Sequence, residues 1–412
     1  MALNYIWMAF FLVAFVIAFI KWAVMGDQEI FRILVEGIFK SANDGFDISL
    51  KLVGIMSLFL GFMKIGENAG AITFLSRIVG PFFQRLFPGV PRNHPAVGHM
   101  MMNFSANLLG LDNAATPFGL KAMDSLQELN PNKERASDAQ IMFLTLHASG
   151  LTLIPVSIIA IRASVKPPSA NPTDIFVPCM IVTFVATIAA MIAVSVKQRI
   201  NVLQPVIIGW VTGLSAIIAS LVWYLNSLQQ QDLQQFSTIL SNGLILLIFF
   251  VFLVGALVRK VNVFESFVEG AKGGFEIAIR IIPYLIAMLV AISVLRNSGV
   301  FDYIIRVFTG GFSALGLNTE FIPSLPTALM KPLSGSGSRG MMIDAMNTYG
   351  ADSFVGRLSS IFQGTSDTTF YVVAVYFGAV SVRDTRYTIP IMLLADLVGI
   401  ITAILMAYLF FK

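Results

Sequence analysis

Apolar runs of about 18 residues or more recur along the whole chain, and no other feature narrows its fold as much. Wound as helix, a run of that length crosses a hydrocarbon core about 30 Å thick. In lipid the backbone must satisfy its own hydrogen bonds, which leaves helices or closed barrels. Barrel strands would show alternating segments of about 10 residues, and the chain has none of these. Only 12% of residues are charged while 56% are hydrophobic, and mean hydropathy is +0.80. The expected fold is an all-α integral membrane protein.

Spanning helices are expected near 4–24, 46–65, 97–122, 140–162, 173–196, 203–225, 240–259, 274–295, 320–347, 354–380 and 387–411, about 11 in all. Two shorter amphipathic stretches, 70–87 and 299–315, read as interfacial or re-entrant segments. No Lys or Arg precedes the run from Ile6 to Ile20, and Lys21 follows it, so an uncleaved first helix with its N-terminus outside is expected. Lys197, Arg199, Arg259 and Lys260 mark a cytoplasmic side, and the Gln-rich stretch Asn226–Gln235 suits the outside; Arg162, Lys166, Arg383 and Arg386 run against that assignment. The location that fits is the cytoplasmic (inner) membrane.

Net charge is +4, but the basic residues sit singly between apolar segments. That distribution contacts lipid headgroups and gives no nucleic-acid face. Cys179 is the one cysteine, so disulfides and thiolate metal sites within a chain are excluded. No P-loop, HExxH or dinucleotide fingerprint is present, and neither a cofactor nor a metal site is expected. Met100-Met101-Met102 and Met341-Met342 read as packing.

The chain repeats itself. Gly45-Phe46-Asp47-Ile48 returns as Gly274-Phe275-Glu276-Ile277, 229 residues later. At the same lag Lys51 meets Arg280, Asn68 meets Asn297, Gly70 meets Gly299 and Arg77 meets Arg306. Further on the lag shortens: Ala122-Met123 meets Ala345-Met346, and Thr152 meets Thr368. Two pseudo-symmetric repeats follow, with residues 1–200 as one unit, 201–240 as a linking helix and loop, and 241–412 as the second unit.

Four polar clusters interrupt the apolar segments. In the first copy they run from Asn103 through Asn107 to Asn113 and Thr116, and from His147 through Ser149 to Thr152. In the second they are Ser334, Ser336 and Ser338 with their glycines, and Gln363 with Thr365, Ser366, Asp367 and Thr368. Buried polar groups need partners, and Gly and Pro favour discontinuous helices, expected near Asn107–Thr116 and Ser334–Gly340. Broken helices present N–H groups and positive dipole ends to a solute near the midplane. The bland alternative is close packing of small residues, with hydroxyls bonded to their own helix.

All fifteen residues are substrate-contact candidates, expected to converge where equivalent pieces of the two copies meet. Asp367 is the sharpest, since intramembrane acids handle ions, protons or substrate. Amides and hydroxyls dominate, which suits a small polar solute, with a coupling ion at Asp367. His147 falls opposite Gln363 in the repeat, which cannot relay protons, so hydrogen bonding is its expected role. Asp396 is expected to pair within the helix bundle. A homo-oligomer is compatible with all of this.

At these residues a family resemblance enters. Residues 1 to about 200 resemble the spore maturation protein A family through Phe87-Pro88-Gly89-Val90-Pro91, the run Asn107–Met123 and Leu151-Thr152-Leu153-Ile154-Pro155. Residues from about 240 to 412 resemble the spore maturation protein B family through Phe267–Lys272, Arg280–Leu285, Pro332–Gly337 and Gln363–Tyr371. The resemblance implies Gate (nucleoside-recognition) units, a module also named in concentrative nucleoside and ferrous-iron transporters, and with them solute translocation. His147 stands where the A-type pattern has Asn, and Asp112 where it often has Gly. A membrane transporter or permease is the first reading and no enzyme is expected. The alternatives are a scaffold acting with cell-envelope or spore maturation enzymes, and an intramembrane hydrolase. The last would use a serine and His147, but the Gly-x-Ser-x-Gly elbow is missing.

Overall fold

The computed structural model describes residues 2–109, 112–152, 154–228, 230–314, 316 and 318–412; the side chains of 2–4, 112–114, 225–226, 230–231, 233–234 and 237 are outside the description. Among the described residues the structure is all-α, apart from one isolated bridge between Arg135 and Asp384. The helices of the first half are α1 (Ala2–Met25), α2 (Ile30–Asn68), α3 (Ala71–Leu86), α4 (Pro95–Leu108), α5 (Asp112–Leu129), α6 (Asp138–Ser149), α7 (Val156–Ser164) and α8 (Phe176–Gln198). Then come α9 (Pro205–Asn226) and α10 (Gln230–Val258). The second half holds α11 (Val263–Asn297), α12 (Val300–Ala314), a 3-10 turn (Ile322–Ser324) leading into α13 (Leu325–Met330), α14 (Gly335–Tyr349), α15 (Phe354–Gly364), α16 (Thr369–Ala379) and α17 (Thr388–Phe411).

Seven of the described helices, α1, α2, α8, α9, α10, α11 and α17, are long and apolar enough to cross a membrane. The chain is a multi-pass membrane protein. The other four expected spans are each divided in two at a polar cluster: 97–122 into α4 and α5, 140–162 into α6 and α7, 320–347 into α13 and α14, and 354–380 into α15 and α16. Breaks near Asn107–Thr116 and Ser334–Gly340 agree with expectation, although Gly335, Gly337 and Gly340 lie inside the first turns of α14 instead of in the gap. The breaks after His147 and Gln363 exceed it. At the first of these, Gly150 takes φ +49°, a left-handed cap that ends α6.

The repeat is visible as an element order. Helices α2 to α8 are followed, in the same succession of long, amphipathic, paired, broken and long helices, by α11 to α17. Its clearest local mark is the pair of lag-229 glycines. Gly70 (φ +80°) follows the end of α2 at Asn68, and Gly299 (φ +83°) follows the end of α11 at Asn297. Both turn the chain into an amphipathic helix through a conformation that Cβ-bearing residues rarely adopt.

Two compact units result, and each draws on both halves of the sequence. Unit 1 comprises Met1–Leu58, Ser157–Pro172 and Gly273–Gln363. Unit 2 comprises Phe59–Val156, Thr173–Lys272 and Gly364–Lys412. The copies thus exchange their ends at the breaks, so that α7 belongs with α13, α14 and α15, and α16 with α4, α5 and α6.

In lipid, apolar burial gives little drive to helix association, and close packing takes its place. Unit 2 packs α17 on α8 through small residues: Gly399, Ala403 and Ala407 line one helix, Ala186 and Ala190 the other, all buried or nearly so. A Cβ on Gly399 would stand 3.6 Å from that of Ala186, in ordinary contact. Met100, Met101 and Phe143 fill the interior around α4, α5 and α6, as the packing reading of the methionines expects. Unit 1 buries Met288, Ile292, Met330 and Met341 together, and Trp7 of α1 donates to the Ala287 carbonyl at 3.0 Å.

Candidate functional site

In unit 2 the polar cluster is organised around His147, which is 4% exposed at the end of α6. A capping box of Ser137 and Gln140 fixes the start of that helix. His94, followed by Pro95 at the first position, caps α4 and so directs Asn103 and Asn107 at the ring. The Asn103 Oδ1 lies 3.1 Å from His147 Nδ1, and the Asn107 amide 2.7 Å from the same nitrogen. Asn103 Nδ2 donates to the Ala115 carbonyl of α5 at 2.6 Å, which commits its oxygen to the imidazole. The atom 2.7 Å from Nδ1 is Asn107 Nδ2, so an Nδ1–H would donate to Asn103 and an Nδ1 lone pair would accept from Asn107. Nε2 then faces Asp367 Oδ2 at 3.9 Å.

Gly119 of α5 makes this closeness workable. A Cβ there would fall 2.5 Å from Tyr376 Cε1 and 2.8 Å from Asn103 Nδ2. The Tyr376 ring of α16 packs on His147 at 4.8 Å between centroids. The breaks after α6 and after α15 are joined through backbone: Asp367 N–H donates to the Ala148 carbonyl at 2.7 Å, satisfying a carbonyl at the end of α6. Asp367 Oδ1 accepts from the Thr368 N–H at 2.6 Å, and its side chain is 48% exposed. Beside Asn107 an aromatic-walled cavity of about 100 Å³ opens, lined by Phe83, Phe104, Phe184 and Trp210, with Gly150 at its edge.

Other candidates in unit 2 are used locally. Ser149 donates to the Leu146 carbonyl at 3.0 Å and Thr152 to the Gly150 carbonyl at 3.0 Å, which is the packing role for both. Thr365 and Thr368 are buried, and Ser366 Oγ is buried without a partner. Thr116 is half-buried on α5. The side chains of Asp112 and Asn113 lie outside the described residues. Asp396 pairs within the bundle, as expected, accepting from Thr369 Oγ1 at 2.6 Å.

In unit 1 the cluster is built at the start of α14. Ser334 caps it, its Oγ accepting from Gly337 N–H at 3.0 Å and lying 3.2 Å from Ser336 Oγ. Ser338 donates to the Thr327 carbonyl of α13 at 2.8 Å, which ties the two helices together. Gln363, at the end of α15, reaches the Gly335 carbonyl with Nε2 at 3.5 Å. Its own carbonyl accepts from Lys331 Nζ at 2.7 Å.

Lys331 was absent from the candidates, although a lone lysine within the expected span 320–347 was the available signal. Two ion pairs in unit 1 were missed as well, although Arg162 and Asp344 lie within the expected spans 140–162 and 320–347. Arg162, wholly buried, donates to Ala351 O at 2.8 Å, Ser169 Oγ at 2.9 Å and Asp352 Oδ1 at 3.0 Å. It is a structural cation, which removes it from the loop charges that count for orientation. Arg296 Nε lies 2.9 Å and 3.1 Å from the two Asp344 oxygens, a forked pair linking α11 to α14.

Comparison with known proteins bears on the identity of this arrangement. A family model described as Gate, nucleoside recognition, matches residues 49–165 and 278–383. Spore maturation protein B of Bacillus subtilis is 48% identical over 154 residues, 37% of this chain and 85% of that protein. Spore maturation protein A of the same organism is 42% identical over 157 residues, 38% of this chain and 79% of that protein. No solved structure matches the chain. The two family segments cover more than half of the sequence and take in all four polar breaks, so the chain belongs to the Gate, or nucleoside-recognition, family of membrane proteins.

Proposed function

We propose that this chain is a permease of the cytoplasmic membrane for a small polar solute, nucleoside-like in class, contacted at its polar helix breaks. One observation carries the proposal: four discontinuous helices, in repeat-related positions, each break at a cluster of buried amides and hydroxyls. Breaking a helix in lipid exposes backbone groups that cost several kcal/mol unless satisfied, roughly speaking, so four such breaks serve a purpose. The family description supports a nucleoside-like solute. In unit 2 His147 and Asp367 hold the place of a donor or coupling cation. His147 is held by two asparagine amides, which suits binding better than activation of a serine.

The names of the relatives favour one other reading, a scaffold acting in spore maturation. Flux separates the two. Purified chain in proteoliposomes is offered labelled nucleosides, sugars and hydroxy acids. A permease gives saturable uptake of at least one, reduced at least about tenfold in Asp367→Asn, which preserves shape while removing the charge. Uptake no greater than in protein-free vesicles for every solute would favour the scaffold.

A further inference from the structure

The cavity beside the polar break of unit 2 has walls that a wholly polar solute does not require. Phe82 and Phe83 of α3, Phe104 of α4, Phe184 of α8 and Trp210 of α9 surround its space of about 100 Å³. Phe83 stacks on Phe104 at 4.3 Å between centroids, and Phe82 stands 6.2 Å from Trp210 at 47°. Four helices thus each bring an aromatic ring to one small space. No charged residue lines it among the described residues, so a charged guest would lose its hydration with nothing to replace it. Lipid tails are as apolar as this lining and gain little by entering, whereas ring-on-ring contacts favour a planar aromatic guest. Apolar cavities that hold benzene measure about 150 Å³, so this one is sized for a single six-membered ring and excludes a fused pair.

A second observation comes from the polar edge of the same cavity. Ser105 is engaged with Ser76 at 3.0 Å, and Thr187 donates to the Ser149 carbonyl at 3.4 Å. Asn107 differs from both. Its Nδ2 lies 2.7 Å from His147 Nδ1, and its Oδ1 has no hydrogen-bond partner among the described residues. An amide oxygen at the rim of an apolar space is an acceptor for a donor on the guest, which a lipid tail does not carry.

We infer that unit 2 binds its solute through a single neutral aromatic ring that bears a hydrogen-bond donor. The ring sits among Phe83, Phe104, Phe184 and Trp210, and the donor reaches Asn107 Oδ1 beside His147. This inference rests on the reading that the polar breaks are solute contacts, and it adds the ring, its size and its donor to what the solute must carry.

Thermal unfolding of the purified full chain in detergent tests it, with benzamide, N,N-dimethylbenzamide, hexanamide and 2-naphthamide as probes. Benzamide raises the midpoint in a saturable way. The dimethyl compound lacks the donor, hexanamide replaces the ring with a chain, and 2-naphthamide doubles the ring; each needs at least about tenfold more ligand for the same rise. Trp210→Ala, on the largely exposed α9, widens the cavity, so it weakens benzamide and brings 2-naphthamide at least level with it. Asn107→Leu makes benzamide and N,N-dimethylbenzamide equal. Equal protection by hexanamide and benzamide would mark a seat for a lipid tail and overturn the inference. So would the lack of any response to benzamide, or an order of the four probes unchanged in both variants. Solute uptake in the proteoliposome assay would leave the permease reading standing in each of those outcomes.

Discussion

The two units solve the same problem, a polar break inside a membrane protein, with different chemistry. Unit 1 is held with buried charges: the wholly buried Arg162 bonded to the loop after α14, the Arg296–Asp344 fork between α11 and α14, and Lys331, which donates to the Gln363 carbonyl of α15. Unit 2 holds its break with neutral amides around one imidazole, and exposes its acid, Asp367, nearly by half. Equivalent positions show the divergence. His147 corresponds to Gln363, 216 residues later, and Arg162 at the same lag corresponds to Gly378. Gly119, which must be small beside Tyr376, falls opposite the buried Met342, 223 residues on. The repeat preserved where the helices break and changed what stands at the break. A duplicated backbone geometry is therefore compatible with two different sets of side chains at the break.

Three substitutions probe that contrast, in order of expected effect. Arg162→Met should be the most damaging, because it strands Asp352 and the Ala351 carbonyl around an apolar side chain. Losing one partner of a buried ion pair costs about 3–5 kcal/mol, so the unfolding midpoint in detergent should fall sharply. A drop no larger than that of an exposed-lysine variant such as Lys133→Met would mean that charges do not hold unit 1 together.

His147→Leu comes next. It leaves the Asn103 and Asn107 amides without their shared partner, at about 1–3 kcal/mol for each buried group left unsatisfied. His147→Gln imports the unit 1 residue and should recover most of that loss, since an amide can again bond both asparagines. Equal stability of the Leu and Gln variants would show that the imidazole is held by packing alone.

The smallest effect concerns acid. Asp352 lies in the loop between α14 and α15. Burial pushes its carboxyl up, but the Ser169 hydroxyl, the Ala170 N–H and the Arg162 charge outweigh it and hold the group below the ordinary carboxylate value. A folded pKa below the unfolded one contributes stability that is complete above the unfolded value. That contribution is lost as pH falls through the folded value, because the unfolded chain takes the proton more readily. Midpoints measured from neutral pH down to about pH 3 should therefore fall more steeply in the parent than in Asp352→Asn. Parallel curves would sever the carboxylate from the stability of unit 1.

Much of the architecture was legible in sequence because its causes are local. Hydrocarbon thickness sets the length of an apolar run, so α1, α8, α9 and α17 stand close to where the runs lie, while α2, α10 and α11 begin well before them. The lag-229 match between Asn68-x-Gly70 and Asn297-x-Gly299 marked the repeat, and in the structure both glycines take the same positive-φ turn. The break near Ser334–Gly340 was expected from its glycines and small polar residues, though the cap that Ser334 provides was not. The later breaks were harder, because Gly150 and Gly364 resemble the many glycines that sit harmlessly within membrane helices.

By itself the sequence determined a repeated, all-α membrane protein with polar interruptions at fixed places, because periodicity, helix caps and apolar length act over a few residues. Tertiary structure alone decided which pieces share a unit: that α7 joins α13 to α15, that Arg162 meets residues 189 and 190 positions away, and that Lys331 finds the end of α15. The physical reason is that burying a charge in lipid is tolerable only once its partners are assembled, and those partners are distant in the chain. A lone arginine at the end of an apolar run reads as an orienting loop charge until the fold surrounds it with carbonyls and a carboxylate.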